Sequence, residues 1–285
     1  MGLQRLPWYL KKPLVLSGSV HKTKTLLRLH ELHTVCESAR CPNISECFEL
    51  NRATFLIMGN ICTRACKFCS IDKGKPLKLD SHEPERIAKT IYELGITHAV
   101  VTSVTRDDLE DSGADHFYRV ASEIKRYNSS ITVELLTPDF KGKNDAILRV
   151  LDADFEIFNH NLETVPSLYK SVRIGANYKR SLDVLNFVKR HKKVLVKSGL
   201  MVGLGETTDE LKAVLVDLKN AGCDIVTIGQ YLMPTLKNIP VHEYIKEPIY
   251  REYENYGREI GIKYVYAGPL VRSSYHAQEI KDLIT

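Results

Sequence analysis

No stretch of this 285-residue chain approaches the length of apolar sequence needed to cross a bilayer. Its first residues, MGLQRLPWYLKKPLVLSG, lack the continuous apolar core of a secretion signal. Linkers, internal repeats and low-complexity segments are missing too, so composition alone does not divide the chain. A cytoplasmic globular protein of one large domain, or one and a half, is therefore expected. With 44% hydrophobic and 26% charged residues, it has enough apolar material for a sizeable core. Acid is absent from residues 1–30, which carry Arg5, Lys11, Lys12, Lys22, Lys24 and Arg28. That basic arm is either solvated surface or a dock for an acidic partner.

Sulfur is concentrated instead of spread. Six of the seven cysteines fall in TVCESARCPNISECFELNRATFLIMGNICTRACKFCS, residues 34–70. In a reducing compartment a disulfide framework is disfavoured, which leaves metal binding or thiol chemistry. Cys36, Cys41 and Cys47 are spaced C-x4-C-x5-C, and Cys62, Cys66 and Cys69 are spaced C-x3-C-x2-C. Each group is one ligand short of four. A structural zinc site closes its tetrahedron with four protein ligands, usually from paired C-x2-C units, and neither group contains one such unit plus a second. Three thiolates on a 4Fe–4S cubane leave one iron open to a ligand other than cysteine. A zinc-binding knuckle is the bland alternative.

The run TFLIMGN before Cys62 favours an extended chain, so these cysteines follow the carboxyl end of a strand. In parallel α/β barrels that end carries the chemistry. Further strands are expected at residues 98–104, 131–136, 155–160, 194–203 and 224–232, each short and rich in β-branched residues. Between them EPERIAKTIYELG, HFYRVASEIKRYN, NDAILRVLD, RSLDVLNFVKRH and TDELKAVLVDLKNAG place apolar residues at helical spacing. Alternating strands and helices make a parallel, curled sheet the expected architecture. Residues 241–261, VHEYIKEPIYREYENYGREIG, read as an amphipathic helix interrupted near Pro248. Cys223 reads as a small core residue rather than a ligand. His160 reads as structural, with Asn159 and Asn161 beside it at the end of the fourth expected strand.

CTRACKFC, with Phe68 before its last cysteine, resembles the signature of radical S-adenosylmethionine (SAM) enzymes. TVCESARCPNISECF, VVTSVTRDDLEDSGADHF, VELLTPDFKG, FNHNLETV, MVGLGET, QYLMP and AGPLVRSSYHA resemble the lipoyl synthase family from about residue 5 to 278. Family members often have tryptophan where Phe48 stands, and residues 10–20 match loosely. The resemblance implies an α/β fold, a partial (β/α)6 TIM-type barrel over residues 53–240. An extension of residues 1–52 would carry auxiliary-cluster cysteines, and residues 241–285 a C-terminal helical tail with the RSSY motif.

By the same resemblance, Cys62, Cys66 and Cys69 hold a 4Fe–4S cluster whose open iron binds SAM. Cys36, Cys41 and Cys47 hold a second, auxiliary 4Fe–4S cluster that serves as sulfur donor. Its fourth ligand is assigned to Ser274 in Arg272-Ser273-Ser274-Tyr275, with Arg272 counted among the working residues. Phe68 is expected at the adenine, Thr102 and Ser103 at the SAM amino group, and Arg173 at the SAM carboxylate. Glu134 is expected at the ribose, although a buried acid paired locally is the alternative. Gly203 and Gly205 would let backbone approach the adenine. The implied reaction inserts two sulfur atoms into a protein-bound octanoyl-lysine. Implied partners are octanoylated lipoyl carrier domains of 2-oxoacid dehydrogenases, the glycine-cleavage H protein, an electron donor such as flavodoxin or ferredoxin, and an iron–sulfur carrier that rebuilds the cluster. Nucleic acid and membrane are not expected partners. Other radical sulfur-inserting enzymes and a non-catalytic metal-binding module are the rival readings.

Overall fold

The computed structural model describes residues 5–13 and 17–274. Tyr275 of the RSSY motif lies outside the described residues. Two compact units account for the chain, and each is described by itself. The first comprises Pro13, residues 17–64, Ile71–Phe158 and Ser274. The second comprises residues 5–12, Ala65–Ser70 and Asn159–Ser273.

In the first unit, helix α1 (Gly18–Leu29) starts where the Ser17 hydroxyl accepts the Val20 N–H at 3.3 Å. It buries Val20, Thr23 and Leu27, three and four positions apart, as one inward stripe. Strand β1 (His33–Thr34) leads into two short helices, α2 (Val35–Ser38) and α3 (Ile44–Glu49). Thr34 caps α2 by accepting the Glu37 N–H. Strand β2 (Thr54–Ile57) is buried at every position, as expected of a parallel strand covered on both faces. Strands β3 (Ile61–Cys62) and β4 (Asp72–Lys73) form a separate parallel pair in which Cys62 stands in register with Lys73.

Three strand–helix pairs follow: α4 (Glu83–Glu93), β5 (His98–Ser103), α5 (Ala114–Tyr127), β6 (Thr132–Leu136), α6 (Asn144–Leu151) and β7 (Ile157–Asn159). β2 pairs parallel with β5, and β5 with β6, while β1 runs antiparallel to β2. Consecutive strands thus lie side by side with a helix in each crossover. α5 buries Phe117, Val120, Ala121 and Ile124 at 3- and 4-residue spacing, which packs it as a crossover helix. The Glu83 carboxylate at the start of α4 accepts the Met58 N–H at 2.8 Å and meets His116 at 2.6 Å. It thereby anchors the turn that leaves β2.

The second unit contains α7 (Tyr169–Val172), α8 (Tyr178–His191), β8 (Leu195–Val202), α9 (Thr208–Asn220), β9 (Ile225–Gln230), α10 (Glu247–Glu259) and β10 (Tyr264–Gly268). β8, β9 and β10 are parallel neighbours in that order. α9 begins with a reciprocal capping box between Thr207 and Glu210. Its apolar face buries Leu211, Val214, Leu215 and Leu218.

The expected strands and crossover helices all form, and the fold class is the partial (β/α)6 barrel. Two local expectations change. Pro248 does not interrupt a helix but stands in the first turn of α10, where its missing N–H costs no hydrogen bond, and residues 241–246 form no helix. The C-terminal region also contains β10 after its helix, so the tail is not helical throughout. No helix among the described residues is long and apolar enough to cross a membrane.

Candidate active site

Two of the three upstream cysteines lie on short helices of the first unit. Cys36 is on α2 and Cys47 on α3, with Cys41 between them. Arg40 takes a left-handed φ of 50°, turning the chain so that the Cys41 N–H donates to the Cys36 carbonyl at 3.0 Å. Burial pushes the Cys36 thiol up to about 11, and hydrogen bonds from the backbone and side chain of Thr54 pull the other way. Burial, then the proximity of Cys36 and Cys41, pushes the Cys47 thiol up to about 12. The three sulfurs are therefore close enough to feel one another's charge. The hydroxyl of Thr54, the first residue of β2, is also hydrogen-bonded to that of Ser274 at 2.8 Å. One strand residue thus contacts both the buried thiol and the second serine of RSSY. No disulfide joins any of the seven cysteines, all of which are among the described residues.

Cys62 closes β3. Its Sγ accepts the N–H groups of Arg64 at 3.4 Å and Thr105 at 3.3 Å. The Arg64 guanidinium forks onto Asp107 at 2.7 and 3.0 Å and reaches Asp139 at 2.6 Å. Cys66 and Cys69 belong to the second unit, where the Cys69 N–H donates to the Cys66 carbonyl at 3.3 Å. Asn238 holds that loop, its amide donating to the carbonyls of Lys67 at 3.1 Å and Cys69 at 3.0 Å. Phe68, half-buried between those cysteines in sequence, packs against the cluster of Val172, Leu204 and Tyr231. Among the described residues no three His, Cys, Asp or Glu side chains converge on a single ion.

Thr102 and Ser103 are the last residues of β5, within the strand expected at residues 98–104. The Thr102 hydroxyl donates to the Leu136 carbonyl at 2.9 Å, whereas the buried Ser103 hydroxyl has no hydrogen-bond partner among the described residues. Glu134 is fully buried on β6, with His98 3.7 Å away. Arg173 follows α7 and is 9% exposed. Its Nη1 donates to the Tyr169 hydroxyl at 2.8 Å and to the Ser181 hydroxyl at 3.0 Å. Burial raises the neighbouring Glu163 carboxyl, while Arg173 and Asn161 pull it back down. The Ser181 hydroxyl also meets His160 Nε2 at 3.0 Å, so His160 belongs to this buried polar network.

Gly203 and Gly205 have φ of 91° and 112°, the left-handed region that favours glycine. A Cβ at Gly203 would fall 2.2 Å from Gln230 Nε2 and 2.3 Å from the Glu243 carbonyl oxygen. The turn is bound by the Glu206 carboxylate, which accepts the N–H groups of Gly203 at 2.5 Å and Leu204 at 2.9 Å. Arg272 Nη1 donates to the Val271 carbonyl at 2.6 Å, above Gly229 of β9. Cys223 is buried in the core, its thiol donating to the Ile225 carbonyl at 3.1 Å, as its isolation in sequence predicts.

The radical SAM superfamily profile matches residues 56–218. The lipoyl synthase of Caldicellulosiruptor saccharolyticus is 50% identical over 279 residues, covering 98% of each chain. That of Caldicellulosiruptor bescii is 50% identical over 285 residues, covering 100% of this chain and 98% of the relative. This chain belongs to the lipoyl synthase family. The crystal structure of methylornithine synthase superposes with a TM-score of 0.57 at 16% identity, covering 88% of this chain and 82% of the other, which establishes a shared fold. Membership of the lipoyl synthase family, within the radical SAM superfamily, brings a 4Fe–4S cluster and SAM as cofactors.

Against that family background, the site residues missed in the sequence are the supporting ones. Thr54 carried only a strand signal. Arg64 and Asp107 sit inside quoted motifs, but nothing in their spacing pairs them. Asn238 lies in a loop with no motif at all.

Proposed function

We propose that this chain inserts two sulfur atoms, at carbons six and eight, into an octanoyl group held by amide linkage on a lysine of a carrier protein, yielding the lipoyl group. The observation that supports this reading is the second sulfur site: Cys36, Cys41 and Cys47 lie within reach of one another's charge, and Thr54 contacts both Cys36 and Ser274 within one unit. Radical chemistry on SAM needs one cysteine triplet. A second triplet with a serine beside it suits a cluster that is spent as a reagent.

The donor set fits iron–sulfur chemistry. Soft thiolates suit Fe–S clusters, and each thiolate of a cubane binds a different iron, so its ligands need not converge on one ion. Cys62, Cys66 and Cys69 would hold the SAM-binding cluster. Once bound, that cluster and SAM supply a 5′-deoxyadenosyl radical able to take hydrogen from an unactivated methylene, beyond the reach of any side-chain acid or base. Ser103, with its unpartnered buried hydroxyl, is suited to receive the SAM amino group. Thr102 instead braces β5 against β6. Arg173 offers the positive charge for the SAM carboxylate, and Tyr169 and Ser181 fix its direction. Glu134 serves the ribose, Phe68 the adenine, and Gly203 and Gly205 leave backbone open for close approach.

Cys36, Cys41, Cys47 and Ser274 would hold the second cluster, the sulfur source. Ser274 is the weakest of these four ligands, because a hydroxyl is harder than a thiolate and reprotonates readily. Arg272 places a guanidinium two residues before it in the same motif. The substrates are octanoylated lipoyl domains of 2-oxoacid dehydrogenases and the glycine-cleavage H protein. A flavodoxin or ferredoxin supplies electrons, an iron–sulfur carrier restores the consumed cluster, and the reaction takes place in the cytoplasm.

Anaerobic incubation of reconstituted protein with SAM, reductant and an octanoyl-lysyl peptide tests the reading. Two added sulfurs by mass spectrometry, stoichiometric 5′-deoxyadenosine and roughly eight irons per chain are expected. Four irons, or 5′-deoxyadenosine without thiolated product, would refute the second cluster's role.

A further inference from the structure

We propose that Arg64 is a positioning residue that keeps two backbone N–H groups on the Cys62 sulfur, and so sets how readily an electron enters the cluster held there. The inference rests on the reading above that Cys62 is a cluster ligand. Its basis is a set of contacts that lie wholly within the first unit.

The two donors to Cys62 Sγ come from different loops. The Arg64 N–H, at 3.4 Å, belongs to the cysteine loop, and the Thr105 N–H, at 3.3 Å, belongs to the loop after β5. Nothing in either loop's regular structure keeps both aimed at one sulfur. Side chains do so. The Thr63 hydroxyl donates to the Thr105 carbonyl at 2.9 Å and accepts the Asp107 N–H at 3.1 Å. The Thr63 N–H donates to the same Thr105 carbonyl at 3.0 Å. Arg64 then spans from the cysteine loop to Asp107 in the loop after β5 and to Asp139 in the loop after β6.

Its side chain is 8% exposed and that of Asp139 is fully buried, so this is a clamp shielded from water rather than a surface pair. A lysine would retain the charge but not the planar fork that holds two carboxylates at fixed angles. The expected consequence is electrostatic. N–H dipoles pointing at a ligand sulfur stabilise the extra electron of the reduced cluster and raise its reduction potential. One electron passes from an external one-electron reductant to the bound cluster, and Arg64 neither makes nor breaks a bond.

The test is an EPR-monitored redox titration of the full-length iron-loaded protein without SAM, comparing wild type with Arg64→Lys, Thr63→Val and Asp107→Asn. Iron and sulfide contents should stay near wild type in at least the last two. The midpoint of the SAM-binding cluster should move to more negative potential by about 59 mV, a tenfold change in the one-electron equilibrium. SAM cleavage should then fall with a weak reductant and recover with a strong one. Variants that hold their iron at an unchanged midpoint would overturn the proposal. If Arg64→Lys loses the cluster outright, the other two decide, and unchanged midpoints in both overturn it. A Cys62→Ala control separates the two levels, because a SAM-responsive cluster surviving in that variant refutes the ligand assignment and not the clamp.

Discussion

A Cβ on Gly229 would sit 2.0 Å from the Val271 carbonyl oxygen. The segment that carries RSSY therefore runs against bare backbone at the carboxyl end of β9, and no rotamer change can relieve the contact. Gly229→Ala is expected to destabilise the protein by about 1–3 kcal/mol, the usual cost of overpacking a close site. Urea unfolding checks this, and an unchanged midpoint would mean that the segment shifts freely.

The two cysteine groups should be separable by function. Replacing Cys62, Cys66 and Cys69 by alanine should abolish 5′-deoxyadenosine formation while leaving about four irons per chain. Replacing Cys36, Cys41 and Cys47 should leave SAM cleavage and eliminate sulfur insertion. Appreciable SAM cleavage by the first variant contradicts the assignment.

Ser274 is expected to matter because it lets go. Ser274→Cys should preserve a cubane and slow sulfur insertion, since a thiolate binds iron more persistently than a hydroxyl does. Ser274→Ala should lower iron retention. Single-turnover assays that count mono-thiolated intermediate, product and iron decide it. Equal rates for Ser274→Cys and wild type remove ligand release from the mechanism, and a cluster disturbed only by changing Ser273 transfers the role to that residue.

Cys223 makes stability depend on pH in a definite direction. Burial pushes its thiol up to about 12, against roughly 8.5 for an unfolded thiol. Between those values the native chain keeps a proton that the unfolded chain has lost, so stability falls as pH rises. The contribution is whole below the unfolded value and disappears as pH passes the folded one. Its slope is at most about 1.4 kcal/mol per pH unit. Cys223→Ala should flatten the decline measured by denaturant unfolding between pH 8.5 and 10, and parallel curves would rule the thiol out as its source.

Lys22 and Lys24 lie on α1 with no acid in its sequence, and Lys11 and Lys12 precede it. Neutralising all four should weaken turnover on a whole acidic carrier more than on a short octanoyl peptide, and added salt should imitate the change. Equal losses on both substrates would make the arm ordinary solvated surface.

Legibility followed the physics of each element. β2 could be read because a strand covered on both faces is apolar at every position. β10 escaped notice because it pairs on one side only, with β9, and keeps partly exposed tyrosines at Tyr264 and Tyr266. The cysteines announced themselves by spacing. Their supports did not, since Thr54 in a strand looks like any β-branched residue, and Arg64 pairs with carboxylates 43 and 75 positions away. Long-range hydrogen bonds leave no periodic trace. Pro248 was misread because proline breaks a helix interior yet starts a helix well, and only the preceding residues' conformation distinguishes the cases.

The bond between Thr54 and Ser274 spans 220 positions. During synthesis the three thiols of residues 36–47 therefore leave the ribosome long before that serine does. On the proposed assignment of Ser274 as the fourth ligand, machinery that meets the nascent polypeptide first encounters thiols without their hydroxyl partner. A product terminated before Ser274 would display all three thiols and still lack the group that completes the set.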